Sequence, residues 1–197
     1  MKAVRRKPRS DAAENRQKLI EAAKEVLGSG GPDASLEAVA RRAGVGIGTL
    51  YRHFPTREDL FQAVYRHEVE QLIRLAQELR ERNDALEALR AWMHAYVGLV
   101  ATKRGLLGAL SVAVTDSSKA MYAELSARVS EAVDGLIAPA AAAGELRADI
   151  RPEDLLQAIF AFCYARQPDA GWKEQVLRLL DIFIDGLRPV RRDGRSS

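Results

Sequence analysis

Residues 35–57, SLEAVARRAGVGIGTLYRHFPTR, read as two short helices joined by a tight turn, with the start of a third close behind. Leu36, Val39, Ala40 and Ala43 recur at helical spacing, and Ser35 stands where an N-cap hydroxyl belongs. Ala40 is small where a second helix must cross closely, and Gly44 supplies the permissive backbone of a sharp turn. Val45, Leu50 and Phe54 then place a second, shorter apolar stripe beyond the turn. Such a pair is a helix-turn-helix, and its second helix is the right size for a DNA major groove.

Composition agrees with a helical chain. Of 197 residues, 47% are apolar and 29% charged, which is ordinary for a globular protein. Alanine, leucine, arginine and glutamate dominate while β-branched runs are scarce, so an all-α fold is expected. No apolar run approaches the ~18 residues of a membrane span, so no membrane partner is expected. The basic N-terminus is not followed by the apolar segment of a secretory signal. Cys163 is the single cysteine, which excludes a disulfide within the chain. The expected location is the cytoplasm. Residues 1–60 carry 12 Lys and Arg against 8 Asp and Glu, while the rest carry 18 against 19. The positive excess therefore sits on the helix-turn-helix end, as a polyanion partner requires.

The run GVGIGTLYRHFPTREDL, residues 44–60, resembles the DNA-binding signature of the tetracycline-repressor (TetR) family of bacterial transcriptional regulators. The likeness covers roughly Asn15 to Tyr65. It includes the Ala-Gly-Val turn, the Thr-Leu-Tyr core of the recognition helix, the His-Phe pair and the Thr-Arg-Glu-Asp-Leu start of the next helix. GELRADIRPEDLL, ahead of the last two helices, is also similar to the family in layout. The resemblance implies a homodimer on a double-stranded operator and a ligand-binding body.

The expected organisation is a basic flexible arm over 1–10, a helix-turn-helix domain over 11–56, a helical effector-binding and dimerisation domain over 57–188, and a disordered tail over 189–197. About nine helices are expected, with a long fourth helix joining head to body. The first runs from Ala12 to Leu27 and is ended by Gly28, Gly30, Gly31 and Pro32. Thr56 and Asp59 approximate a capping box for the fourth. Asn83 or Asp84 caps the fifth, which Thr102 to Gly105 is expected to break before a short helix over 106–115. Another begins at Asp116 to Ser118, and Pro139 is expected to kink or end it. Pro152 fits the first position of the penultimate helix.

Candidate DNA contacts are Ser35, Ile47, Gly48, Thr49, Tyr51, Arg52, His53 and Arg57. Gly46, Ile47 and Gly48 lack long hydrogen-bonding side chains, so base reading falls to Thr49, to Arg52 and to Ile47 against a thymine methyl. Tyr51, His53 and Arg57 match family positions that resemble phosphate contacts, and Ser35 either joins them or only caps its helix. His53 could instead pack against the turn, and Arg41 and Arg42 suit a solvated face. Trp92, Met93, Tyr96, Met121 and Tyr122 either line a pocket for a small apolar effector or fill an ordinary core. The last two helices have apolar faces broad enough for a second subunit. Leu155, Ile159, Phe162, Val176, Leu180, Phe183, Ile184 and Leu187 are the interface candidates. No catalytic constellation and no metal spacing is present, and no cofactor is implied; His67, His94 and Cys163 stand isolated. The reading is a DNA-binding regulator released by an effector. An architectural DNA-binding dimer without effector, and a helical enzyme or carrier, are the alternatives.

Overall fold

The computed structural model describes residues 9–28, 34–82, 84–110, 115–165, 167 and 169–189. Residues 1–8 of the expected N-terminal arm, Gly30 and Gly31, Asn83, residues 111–114 and most of the tail lie outside the described residues, whereas Arg9 and Ser10, expected in the arm, are helical. Among the described residues there are eight helices and no strand. They are α1 (Arg9–Gly28), α2 (Leu36–Arg42), α3 (Ile47–His53), α4 (Arg57–Leu79), α5 (Ala85–Leu110), α6 (Asp116–Ala142), α7 (Pro152–Tyr164) and α8 (Trp172–Gly186). No described helix is long and apolar enough to cross a membrane.

The chain forms two compact units. The first is Met1–Glu68 with Ala101–Ser118, and the second is Val69–Val100 with Lys119–Ser197. In the first, α1 packs on α2 and α2 on α3. Its core takes Leu19, Ala23 and Leu27 from α1, Leu36 and Val39 from α2, Leu50 and Phe54 from α3 and its end, Leu60, Phe61 and Val64 from α4, and Leu106 and Leu110 from α5. Burial of this set, at ~1.5–3 kcal/mol per large side chain, holds helices too short to persist alone. Lys24 Nζ lies 2.8 Å from the buried Glu68 Oε1, as an ion pair that lacks the alignment of a hydrogen bond.

Helix ends follow their local chemistry. Ala38 N donates to Ser35 Oγ at 3.1 Å, which caps α2. At its other end Gly44 adopts φ +70, Gly44 N donates to Arg41 O and Val45 N to Ala40 O. That pair of bonds is a Schellman ending, which stops α2 and turns the chain into α3. Thr56 and Asp59 form the capping box of α4: Asp59 N donates to Thr56 Oγ1 and Thr56 N to Asp59 Oδ2, both at 3.0 Å. Asp84 caps α5 through Glu87 N at 2.9 Å, and Pro152 opens α7.

Two expectations about helix breaks are corrected. Of the kink or end expected at Pro139, the end is not found, for Pro139 lies inside α6, which continues to Ala142. The ending is set one turn later by Gly144, at φ +71, with Gly144 N bonded to Ala141 O and Glu145 N to Ala140 O. Thr102 to Gly105 does not break α5 either, so the described part of 85–115 holds one helix where two were expected, and eight helices replace nine among the described residues. Gly105 serves close approach rather than a turn. A Cβ built on it would collide with the Gly28 carbonyl, so only glycine lets α5 lie against the end of α1.

The second unit has its own core. Trp92 and Met93 have no exposed surface, and Trp92 Nε1 donates to Leu72 O at 3.0 Å. α7 packs on α8, with Leu155, Ile159 and Cys163 facing Val176, Leu180 and Ile184, all buried. Trp172 Nε1 donates to Cys163 O at 3.2 Å and pins the start of α8 to the end of α7. A polar clasp joins α5 to α8: Arg90 Nη1 donates to Asp181 Oδ1 at 2.9 Å, Arg90 Nη2 to Asp185 Oδ1 at 2.6 Å, and His94 Nε2 lies 2.8 Å from Asp181 Oδ1. Burial works against the charge of Asp181, but the hydrogen bonds with Arg90 and His94 outweigh it and hold the carboxyl below the usual carboxylate range.

Gly105 and the Asp181 clasp each lead to a measurable outcome. Alanine for glycine inside a helix ordinarily stabilises, by up to ~1 kcal/mol. Gly108→Ala, where an added Cβ meets nothing within 4 Å, should do so, whereas Gly105→Ala should cost about 2 kcal/mol through overpacking. Urea denaturation of the two variants should therefore give shifts of opposite sign. The Asp181 clasp should lend its full stability above the ordinary carboxylate pKa and lose it as the pH falls through the depressed value. Thermal midpoints of the unaltered chain and Asp181→Asn should differ at about pH 6 and draw together as the pH falls below the ordinary carboxylate range.

Candidate nucleic-acid interface

α3 presents a nearly bare leading edge. Gly46, its N-cap, has φ −74, and an added Cβ at Gly46 or at Gly48 would meet nothing within 4 Å. Neither packing nor backbone conformation inside the protomer calls for glycine at these two positions. Their cost falls on the stability of a two-turn helix, and any benefit lies outside the chain. Ile47 is 38% exposed and Tyr51 48%, high values for large side chains in a small head. α3 is held from behind by Leu50, and Phe54 is buried just after its end. The guanidinium of Arg16 lies 5.1 Å from the Phe54 ring centroid, closing that side.

Thr49 and Arg52 are brought together. Arg52 Nε donates to Gly48 O and Arg52 Nη2 donates to Thr49 Oγ1, each at 3.1 Å. The long arginine side chain thus lies back along its own helix. A guanidinium so held has less rotamer freedom left to lose on binding. His53 is half-buried, its ring 6.4 Å from that of Phe54, so packing accounts for part of its surface. Arg42 is engaged by Glu25, with Nε donating to Oε2 at 2.6 Å, while Arg41 is exposed.

Ser35, Tyr51 and Arg57, on three different elements, line one pocket of about 110 Å³. Ala34, Leu27, Leu36, Glu37 and Leu110 complete it. The rim is polar and exposed, and the buried side chains of Leu27, Leu36 and Leu110 lie beneath. A hydroxyl, a phenol and a guanidinium converging over an apolar base suit an oxygen-rich anion, and Arg57 is the one cation among the described residues of the rim. Glu37 on the same rim opposes an anion. Sequence reasoning misses both Glu37 and Leu110: Glu37 reads as an ordinary first-turn acid, and Leu110 comes from far along the chain.

The remaining candidates divide by burial. In the second unit Trp92, Met93 and Met121 are core residues. Tyr96 and Tyr122 are half-buried, and Tyr96 stacks on Trp92 with centroids 5.6 Å apart. Burial first, and then Cys163 and Tyr164, push the Tyr96 phenol above its ordinary pKa, which keeps it a neutral hydroxyl. Of the interface candidates, Leu155, Ile159, Val176, Leu180, Ile184 and Leu187 are buried within the protomer, while Phe162 and Phe183 are half-buried and meet edge to face at 5.7 Å. The apolar side chains that α7 and α8 leave outside are others: Phe160, Tyr164, Leu179 and Ile182, at 50%, 41%, 40% and 60% exposure. Sequence reasoning finds the apolar helices but picks mostly their inward side, because the inner and outer positions are both apolar. Of the histidines read as isolated, His67 Nε2 lies 2.9 Å from Glu21 Oε1 and His94 joins the Asp181 clasp. No group of three His, Cys, Asp or Glu among the described residues is placed to hold a metal ion.

Comparison with known proteins bears on both units. Residues 19–64 match the family described as bacterial regulatory proteins, tetR family, and residues 84–189 match one described as transcriptional regulator SbtR-like, C-terminal domain. The fold is similar to the crystal structure of a TetR transcriptional regulator from Streptomyces coelicolor, at 40% identity and a TM-score of 0.74, covering 89% of this chain and 99% of that one. It is also similar to a TetR transcription regulatory protein from Mycobacterium vanbaalenii, at 30% identity and a TM-score of 0.66, covering 92% and 99%. Over 60 residues the chain is 47% identical to the HTH-type transcriptional regulator TtgW of Pseudomonas putida, which is 30% of this chain and 45% of TtgW. The match spans less than half the length of the curated relatives.

Proposed function

Since this chain belongs to the tetR family of bacterial regulatory proteins, we propose that it is a sequence-specific DNA-binding repressor that acts as a homodimer and is released from its operator by a small, mainly apolar effector. The observation that carries this reading is the convergence of Ser35, Tyr51 and Arg57 on one pocket beside the exposed face of α3. In it, the pocket takes a backbone phosphate while α3 enters the major groove. Phosphate contacts set position and affinity; Thr49, Arg52 and Ile47 set sequence preference. The bare first turn at Gly46 and Gly48 lets the α3 backbone come close to the bases and leaves part of the reading to DNA shape and bound water.

Two heads of a homodimer would meet successive major grooves ~34–36 Å apart. The second copy is placed on the outer face of α7 and α8, at Phe160, Tyr164, Leu179 and Ile182, because this apolar group remains exposed after the protomer's own core is complete. The effector is placed in the second unit beside Tyr96 and Tyr122, which keep partial exposure next to the buried Trp92, Met93 and Met121. Its action is a coupling of typically ~1–3 kcal/mol, so operator DNA must weaken effector binding by the same factor.

Selection of duplexes from a random-sequence pool, followed by titration at several salt concentrations, tests the DNA reading. The chain should enrich a near-palindromic site. Arg57→Ala should weaken binding to every duplex and lower the salt slope by ~0.9 for each phosphate it no longer neutralises. Glu37→Gln should act oppositely and strengthen binding to all duplexes. Arg52→Ala should instead narrow the gap between selected and random DNA, by ~1–3 kcal/mol. Equal losses on both DNA types for Arg52→Ala would overturn this division of roles.

The dimer face has its own expected outcome. Ile182→Glu puts a charge on an exposed position, so the protomer should keep its helical content and melt cooperatively, yet sediment as a monomer at micromolar concentration. An unaltered chain that is already a folded monomer at that concentration would remove the basis for the second copy.

A further inference from the structure

We propose that the last turns of α5, far along the chain from the helix-turn-helix, form the floor of its phosphate-contacting pocket, with Leu110 as the positioning residue. This deepens the DNA-binding reading and rests on it. Residues 101–118 belong to the head unit by their contacts, and three independent features attach them there. Gly105 seats α5 against the Gly28 carbonyl, and the Thr102 side chain lies 3.5 Å from where a Gly28 Cβ would stand, so α5 docks on the last turn of α1. Leu110, 3% exposed, lines the pocket together with Leu27 and Leu36. Thr115 Oγ1 donates to Glu58 Oε1 at 2.8 Å, which ties the chain just beyond α5 to the residue that follows Arg57.

The rim groups are carried by α2, α3 and α4 or stand at their starts, and each has a rotatable side chain. They point at one phosphate only while the backbones that carry them keep their spacing, and that spacing rests on the three leucines below. Truncating Leu110 leaves a cavity into which its neighbours partly collapse. Ser35, Tyr51 and Arg57 then no longer engage one phosphate together. Thr49 and Arg52 lie on α3 outside the pocket, so base preference survives. A displacement of the end of α5 therefore reaches the phosphate-binding groups without passing through the recognition helix.

The test uses the full-length chain and a duplex that it has itself selected from a random-sequence pool, titrated by fluorescence anisotropy from low to high salt. Leu110→Ala should flatten the salt dependence by about 0.9 for each phosphate no longer engaged, and weaken binding roughly tenfold for each at about 0.1 M salt. The ratio of selected to random duplex should be kept. Leu110→Met should restore the slope. Val64→Ala, in the same unit but outside the pocket, should lose comparable stability and keep the slope, which separates positioning from folding. If Leu110→Ala does not fold, Leu110→Val should show the same flattening at smaller size. A full salt slope in folded Leu110→Ala or Leu110→Val, or equal flattening in Val64→Ala, overturns the proposal. A wild-type chain that binds no duplex at any salt concentration overturns the DNA-binding reading itself, and this inference with it.

Discussion

The head unit depends on a contact between two stretches of backbone. Gly105 lies so close to the Gly28 carbonyl that no other residue fits, and this fixes where α5 meets α1. Once that approach is set, Leu106 and Leu110 fall into the core beside Leu27. A three-helix head alone would bury little; α2 and α3 have seven residues each and cannot persist as isolated helices. The apolar area that stabilises them comes partly from a helix that lies far beyond them in the chain. The exposed surface of α3 is thus local in sequence while its support is not, and closing the long loop that brings that support in carries an entropic cost.

The glycines separate into three physical situations that a sequence does not distinguish. Gly44 and Gly144 adopt positive φ and close Schellman endings. Gly105 has ordinary helical backbone and is required by a neighbour. Gly46 and Gly48 are required by neither, and they lie on an exposed face. A residue that costs helix stability and stabilises nothing within the chain is most simply explained by what binds there.

What is legible in the sequence is what short-range chemistry decides. Ser35 at its cap, the Thr56–Asp59 box, Gly44 in its turn, Asp84 before α5 and Pro152 at the start of α7 all act within four residues, so their patterns carry their own reason. What is not legible depends on a partner elsewhere in the chain. Thr102 to Gly105 reads as a breaker until α1 is brought against it. Pro139 reads as a kink or an end, and it does not end α6; the ending at Gly144 does. On α8 the inner residues Val176, Leu180 and Ile184 and the outer residues Leu179 and Ile182 are equally apolar. Periodicity alone therefore gives the helix without saying which side is covered. Of the site, the side chains on α3 are readable from their exposed phase, whereas the joining of Ser35, Tyr51 and Arg57 over Leu110 needs the three-dimensional arrangement.

The Arg90 clasp supplies what apolar periodicity leaves undecided in the second unit. Asp181 and Asp185 are one turn apart, so they mark a single edge of α8, and both accept from one guanidinium on α5. Rotating α8 by one residue, about 100°, would carry both carboxylates away from Arg90, a cation only 16% exposed. Arg90 would keep Glu87 of its own helix, which accepts from its Nε at 3.0 Å, but would lose the other two of these three carboxylates; an ion pair of this kind contributes little net stability against an apolar alternative. Its value is therefore in register. It favours, between two apolar sides of similar character, the one that turns inward, with Leu179 and Ile182 left exposed on the other.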